Sequence, residues 1–145
     1  MKILHPTDFS ECADRAQQQA IRLAHAMGGE IVLLHVTVQA PLYGEGLMSS
    51  KEVRGVYAAA REWATKTLEE RAAMIREHGL ATRTLMRTGT PHEEIVQAAA
   101  AERADLIVLG THGRGGVERF FIGSVADRVI RSAPCPVVTV RESTA

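Results

Sequence analysis

Leu106-Ile107-Val108-Leu109-Gly110-Thr111-His112-Gly113-Arg114-Gly115-Gly116-Val117-Glu118-Arg119-Phe120-Phe121-Ile122-Gly123-Ser124 is the stretch on which the reading of this chain turns. Four consecutive apolar residues suit a short strand buried on both faces. A glycine-rich loop then runs into Ser124, which opens a helix ending at about Ser132. A buried strand that crosses through such a loop into a helix is one step of a parallel βα succession.

The same alternation runs in both directions from this segment. Pro134-Cys135-Pro136 breaks the chain before a last strand, Val137–Val140. Upstream, Ile3-Leu4 begins a strand that stops at Pro6-Thr7-Asp8. Ser10 can cap a helix to about Met27, with Ala13, Ala16, Ala20, Leu23, Ala24 and Met27 on one face and Gly28-Gly29 as its stop. Glu30–Val36 reads as a second buried strand and residues 39–50 as a long loop. A helix to about His78 follows, its apolar stripe formed by Val56, Ala60, Trp63, Ala64, Thr67, Ala72 and Ile75. Ala81–Arg87 is the third strand. Thr90-Pro91-His92-Glu93 carries a capping box, Thr90 as cap and Glu93 as its partner, ahead of a helix burying Ile95, Val96, Ala99 and Ala100.

The pattern βαβαβαβαβ predicts an α/β fold: a doubly wound, open, five-stranded parallel sheet with helices on both faces, in one domain spanning 1–145. Strand order decides where a ligand would bind. Order 3-2-1-4-5 places strands 1 and 4 at the switch point, where the carboxyl ends open a crevice, whereas 2-1-3-4-5 places strands 1 and 3 there. The polar Pro6-Thr7-Asp8 turn after strand 1 and the glycine loop after strand 4 favour 3-2-1-4-5.

Composition narrows the function classes. Apolar residues make up 46% and charged residues 23%, and 17 basic side chains balance 17 acidic ones, so broad electrostatic capture of nucleic acid or an acidic membrane is not expected. No apolar run is long enough to cross a bilayer, and Met1-Lys2-Ile3-Leu4-His5-Pro6 is too short for a signal peptide. Cys12 and Cys135 read as reduced, small buried hydrophobes, and the cytoplasm is the expected compartment.

Glycine lets backbone approach an anion closely and adopt positive φ, and a helix start offers N–H groups and a favourable dipole to phosphate. The loop matches neither the Walker A pattern nor G-x-G-x-x-G. Arg114 and Arg119 offer paired hydrogen bonds to phosphate, with a solvated surface arginine as the alternative for each. His112 and His5 read as structural hydrogen-bond partners, and Phe120 and Phe121 as packing residues.

Gly110, Gly113, Gly123 and Ser124 reproduce G-x2-G-x9-G-[S/T], and in that pattern the chain resembles the ATP-binding members of the universal stress protein (UspA-like) family. The likeness extends through Ile3–Asp8, Gly89-Thr90-Pro91, Leu109–Gly116 and Pro134–Val138. It implies a Rossmann-like fold of the adenine nucleotide alpha hydrolase kind with the 3-2-1-4-5 sheet. It further implies that Asp8 and the backbone near Val36 hold the adenine end, with Pro6, Thr7 and Gly110 beside the adenosine. Gly113, Gly123, Ser124 and Val125 would bind phosphates, joined by Arg114. For Asp8 a helix-capping carboxylate is the alternative reading, and for Val36 plain core packing.

The expectation is an ATP-binding stress-response module, with Mg or Mn carried by the phosphates and a homodimer joined through strand 137–140. A slow ATPase or nucleotidyl-transfer enzyme is the alternative, and a dimeric scaffold without nucleotide is the second. No catalytic residue is assigned. Gly123→Val is expected to exclude phosphate while leaving the fold intact.

Overall fold

The structure is a computed structural model that describes residues 1–38, 50–113 and 122–142. Its elements run β1 (Lys2–Pro6), α1 (Glu11–Met27), β2 (Glu30–Thr37), α2 (Ser50–Glu77), β3 (Thr82–Thr88), α3 (Pro91–Glu102), β4 (Leu106–Gly110), α4 (Ser124–Ser132) and β5 (Val137–Val140). The strands form one parallel sheet in the order β3-β2-β1-β4-β5. The order reverses between β1 and β4, which puts the switch point between these two strands.

Alternation along the buried strands divides the core into two layers. Ile3, Ile31, Leu33 and Val108 face α1 and α2, where they meet Ala16, Ala20, Ala24, Leu68, Ala72 and Ile75. Leu4, Val32, Leu34, Ile107 and Leu109 face α3 and α4, against Ile95, Ala98, Ala99, Ala126 and Val129. Small alanines on the helices let them lie close to a sheet of branched residues. Gly28 ends α1 in the left-handed conformation, at φ +64°, and its N–H returns to the Ala24 carbonyl.

Several sequence expectations need correction. Met27 is exposed and Ile21 takes its place in the buried face of α1. In α3 the third buried residue is Ala98, not Ala100, and Val96 is only half-buried. Thr90 sits at the N-cap but its side chain makes no capping bond. It is Glu94, not Glu93, that turns back at this helix start, packing against Gly89 and pairing with Arg87 at 3.4 Å.

The largest correction concerns α2. Its buried stripe is Ala64, Leu68, Ala72 and Ile75, while Val56 and Trp63 are 55% and 53% exposed and Ala60 is also exposed. Length explains this. Twenty-eight helical residues extend about 42 Å, whereas the eight residues of β2 extend about 26 Å. The C-terminal half of α2 packs on the sheet, so its first half projects past the carboxyl ends of the strands. The expected loop at 39–50 lies outside the described residues as far as position 49, where α2 is about to begin.

Candidate functional site

β1 delivers the first half of the site. Beyond Pro6, Thr7 N–H donates to the Leu34 carbonyl at 2.8 Å, extending the ladder by one residue. The chain then turns on its own side chains. Thr7 Oγ1 accepts from Phe9 N–H at 3.1 Å, Asp8 Oδ1 accepts from Ser10 N–H at 3.0 Å, and Ser10 Oγ caps α1 by accepting from Ala13 N–H at 3.2 Å. The alternative reading of Asp8 as a turn-forming carboxylate thus describes one of its oxygens; Oδ2 is turned towards Gly113. Phe9 sits at φ +66°, a left-handed conformation that costs a residue with a Cβ about 1–2 kcal/mol.

β4 delivers the second half. Thr111 N–H donates to the Val140 carbonyl at 2.9 Å and the Thr111 carbonyl accepts from Gly123 N–H at 2.7 Å, so the glycine-rich segment leaves and returns at one residue. Gly123 is the N-cap of α4 and offers no side-chain cap. Thr111 Oγ1 and His112 Nδ1 are 2.9 Å apart, while His112 Nε2 is buried without a partner among the described residues. Residues 114–121, with Arg114, Arg119, Phe120 and Phe121, lie outside the described residues.

Between the two halves lies a cavity of about 460 Å³. Of the residues expected to bind nucleotide, Pro6, Thr7, Asp8, Val36, Gly110, Gly113, Gly123, Ser124 and Val125 line it, and Arg114 lies outside the described residues. Sequence reasoning missed Leu34, Val38, Pro91, Ile95 and Leu109 on the apolar side and Thr111 on the polar side, with Ala13 and Ala126; His112, read as a structural hydrogen-bond partner with phosphate contact as the alternative, also lines the cavity. The signal for the apolar wall was present. Leu34, Val36 and Val38 share one face of a strand, and Pro91 and Ile95 lie one helical turn apart.

Positive φ is not what the glycines of the pattern supply. The described glycines with positive φ are Gly28, Gly79 and Gly89; Gly110, Gly113 and Gly123 are not among them. What they supply is room. A Cβ on Gly110 would lie 2.8 Å from Cys12 Sγ and 3.1 Å from the Cys12 backbone, one on Gly113 would lie 2.7 Å from Asp8 Oδ2, and one on Gly123 would lie 2.8 Å from the Thr111 carbonyl oxygen. Gly123→Val therefore strains the protein's own backbone, and it cannot serve as a variant that spares the fold.

Below the cavity, His5 spans β1 and β4. Its Nδ1–H donates to the Val108 carbonyl at 2.8 Å, and Nε2 is buried without a partner. Burial, foremost, lowers its pKa from 6.5 to about 4, with nearby Arg71 acting in the same direction, against the Val108 bond and Asp8. The ring is neutral in the fold, as expected of a structural partner. Cys12 is also buried and donates to the Val140 carbonyl at 3.4 Å. Cys135 is half-buried, and burial pushes its thiol pKa up. Among the described residues no group of three His, Cys, Asp or Glu is placed to hold a metal ion, and no helix is long and apolar enough to cross a membrane.

The whole chain has relatives with this organisation. It is 37% identical to a universal stress protein of Methanocaldococcus jannaschii, over 97% of this chain and 82% of that one. Its fold matches the structure of universal stress protein UspA from Lactobacillus plantarum with a TM-score of 0.85 at 25% identity, covering 97% of each chain. It also matches a universal stress protein from Archaeoglobus fulgidus solved in complex with dAMP, with a TM-score of 0.66 at 26% identity, over 97% of this chain and 98% of that one. The sequence model described as the universal stress protein family matches residues 1–141, from the first strand past the last, and the chain belongs to that family.

Proposed function

We propose that this chain binds an adenine nucleotide, ATP foremost, in the cavity between β1 and β4, and that it acts as a nucleotide-responsive regulatory module in the cytoplasm. The observation that carries this reading is the convergence of Pro6–Asp8 with Gly110–Gly113 and Gly123–Val125 on one cavity at the switch point. Its two sides suit the two ends of a nucleotide. Val36, Val38, Pro91 and Ile95 offer an apolar slot for a base, with Asp8 at hand to accept hydrogen bonds. Ser124 and Val125 stand at a helix start with no side-chain cap, beside Gly113, where phosphate oxygens would be welcome. Arg114 would add its charge there, and Mg or Mn would arrive with the phosphates. The dAMP held by the relative from Archaeoglobus fulgidus supports the nucleotide class.

Hydrolysis is not part of this reading. Asp8 is the one carboxylate among the described residues lining the cavity, and one of its oxygens is engaged by Ser10 N–H. Strand β5 is at the sheet edge and half-buried, its unpaired edge would be covered by a second copy of the chain, and a homodimer through 137–140 is part of this reading. Sedimentation at micromolar concentration tests the dimer, and a monomer would refute it.

The test of binding is the nucleotide content of freshly purified, denatured protein, together with the thermal shift on adding ATP-Mg. Val125→Glu is the variant of choice. It places a carboxylate where phosphate would lie, while an acidic residue in the first turn of α4 suits the helix dipole and spares the fold. Wild type should shift and V125E should not. No released nucleotide and no shift in wild type would sink the proposal.

A further inference from the structure

Phe9 joins the cavity to helix α2. It follows Asp8 directly, and its left-handed backbone is held by contacts on both sides. Its N–H donates to Thr7 Oγ1. Its ring stacks on His35 at 4.4 Å, with 24° between the planes, and meets Trp63 edge-on at 5.5 Å and 85°. His35 in turn donates Nδ1–H to the Thr7 carbonyl at 2.8 Å. Thr7 and Asp8 line the cavity, whereas Phe9, His35 and Trp63 do not. The turn therefore has the ligand space on one side and an aromatic stack on the other.

Core packing accounts for only one member of this stack, since Phe9 is partly buried against the first core layer. Trp63 is 53% exposed, so burying its ring is not the main result of the contact. A left-handed turn is also filled at least cost by glycine, yet here it carries a large ring. Residues held in sparsely populated backbone conformations persist where their surroundings over-determine them, and such positions recur in switch regions. Trp63 lies in the half of α2 that projects beyond the sheet, which also carries the exposed Val56 and Tyr57.

We propose that Phe9, His35 and Trp63 are positioning residues for the Thr7–Asp8 turn, and that through them occupancy of the cavity is coupled to the projecting half of α2. This rests on the reading that the cavity binds an adenine nucleotide. A nucleotide held against Thr7 and Asp8 fixes the turn, the turn fixes the Phe9 ring, and the ring fixes Trp63 and the helix around it. The coupling is reciprocal: whatever releases Trp63 weakens nucleotide binding by the same factor as nucleotide favours the docked helix.

The chain supplies its own probe, because Trp63 is its only tryptophan. ATP-Mg is titrated into the purified protein and followed by calorimetry and by tryptophan emission. The emission should change with the calorimetric midpoint, although Trp63 does not line the cavity. Trp63→Ala should weaken affinity about fivefold or more, and Trp63→Phe should restore most of it. Phe9→Gly should also weaken affinity while melting no lower than Phe9→Ala, since glycine accepts the turn without strain; that separates positioning from stability. Calorimetric binding equal in wild type and W63A, with silent emission, overturns the coupling and leaves the nucleotide reading standing. No binding heat in wild type overturns both.

Discussion

Two helix starts face each other across the cavity, and they are finished in opposite ways. At α1 the chain satisfies itself: Asp8 holds Ser10 N–H, Ser10 caps Ala13 N–H, and Thr7 holds Phe9 N–H. At α4 the N-cap is Gly123, which has no side chain to give, and His112 Nε2 is buried without a partner among the described residues. A helix needs its first N–H groups satisfied, by side chains, water or ligand. The α1 start therefore fixes shape, while the α4 start leaves donors available at the cavity. On the proposed reading, the glycine N-cap leaves its donors for a ligand, whereas the serine closes its own joint.

The deepest link between the two sides is His5, and breaking it gives the largest expected effect. Its folded pKa of about 4 lies below the unfolded value of 6.5. The unfolded chain thus takes up a proton first as pH falls. The contribution of the neutral ring is complete above about 6.5, is lost between there and about 4, and changes no further below. Integrated, this amounts to on the order of 3 kcal/mol. Urea unfolding at pH 7 and pH 4 measures it. His5→Asn, whose amide can still donate towards the Val108 carbonyl, should lower stability at pH 7 yet remove this part of the slope. An unchanged slope would remove His5 as its source.

A second break wedges the sides apart. Gly110→Val sets a branched side chain against the Cys12 backbone, at the contact between β4 and α1. Overpacking of this kind costs about 1–3 kcal/mol. Denaturant melts should show it, and a neutral outcome would mean that α1 moves away freely.

Exchanging the helix starts sharpens the contrast. Ser10→Ala removes a formed cap and should cost about 1 kcal/mol, with little effect on ATP-Mg affinity. Ser124→Ala should do the reverse, leaving the melting temperature close to wild type and weakening the nucleotide. Equal effects of both variants on both measurements would erase the distinction. The smallest effect is expected at the third start near the cavity. Thr90 makes no capping bond, so Thr90→Ala should stay within about 0.5 kcal/mol of wild type. A full capping loss there would show that the hydroxyl is engaged in solution.

The residues most readily understood in the sequence were those whose chemistry is local. Ser10 caps because it precedes a helix, and Ile31–Leu34 is buried because a parallel strand covered on both faces needs a continuous apolar run. Thr90 looked equally sound by the same rule, yet its side chain makes no capping bond, and it is Glu94 that turns back to pair with Arg87. The helical stripe of α2 was read too far because periodicity records which residues share a face and says nothing about how far the opposing sheet extends. Trp63 and Val56 continue the stripe into space beyond the strands.

The sequence by itself determined the alternation of elements, the strand order through its two polar turns, and the segments that meet at the switch point. These follow from period, capping chemistry and the right-handed connection of parallel strands, all of which act over short stretches of chain. Only the tertiary structure decided why the glycines of the pattern must be glycines, since Cys12, Asp8 and Thr111 reach them from elsewhere in the chain or across a loop. It alone placed Val38, Pro91 and Ile95 in the cavity wall and set Phe9 between His35 and Trp63. Steric room and ring contacts depend on distances between residues far apart in sequence, and no local pattern encodes those distances.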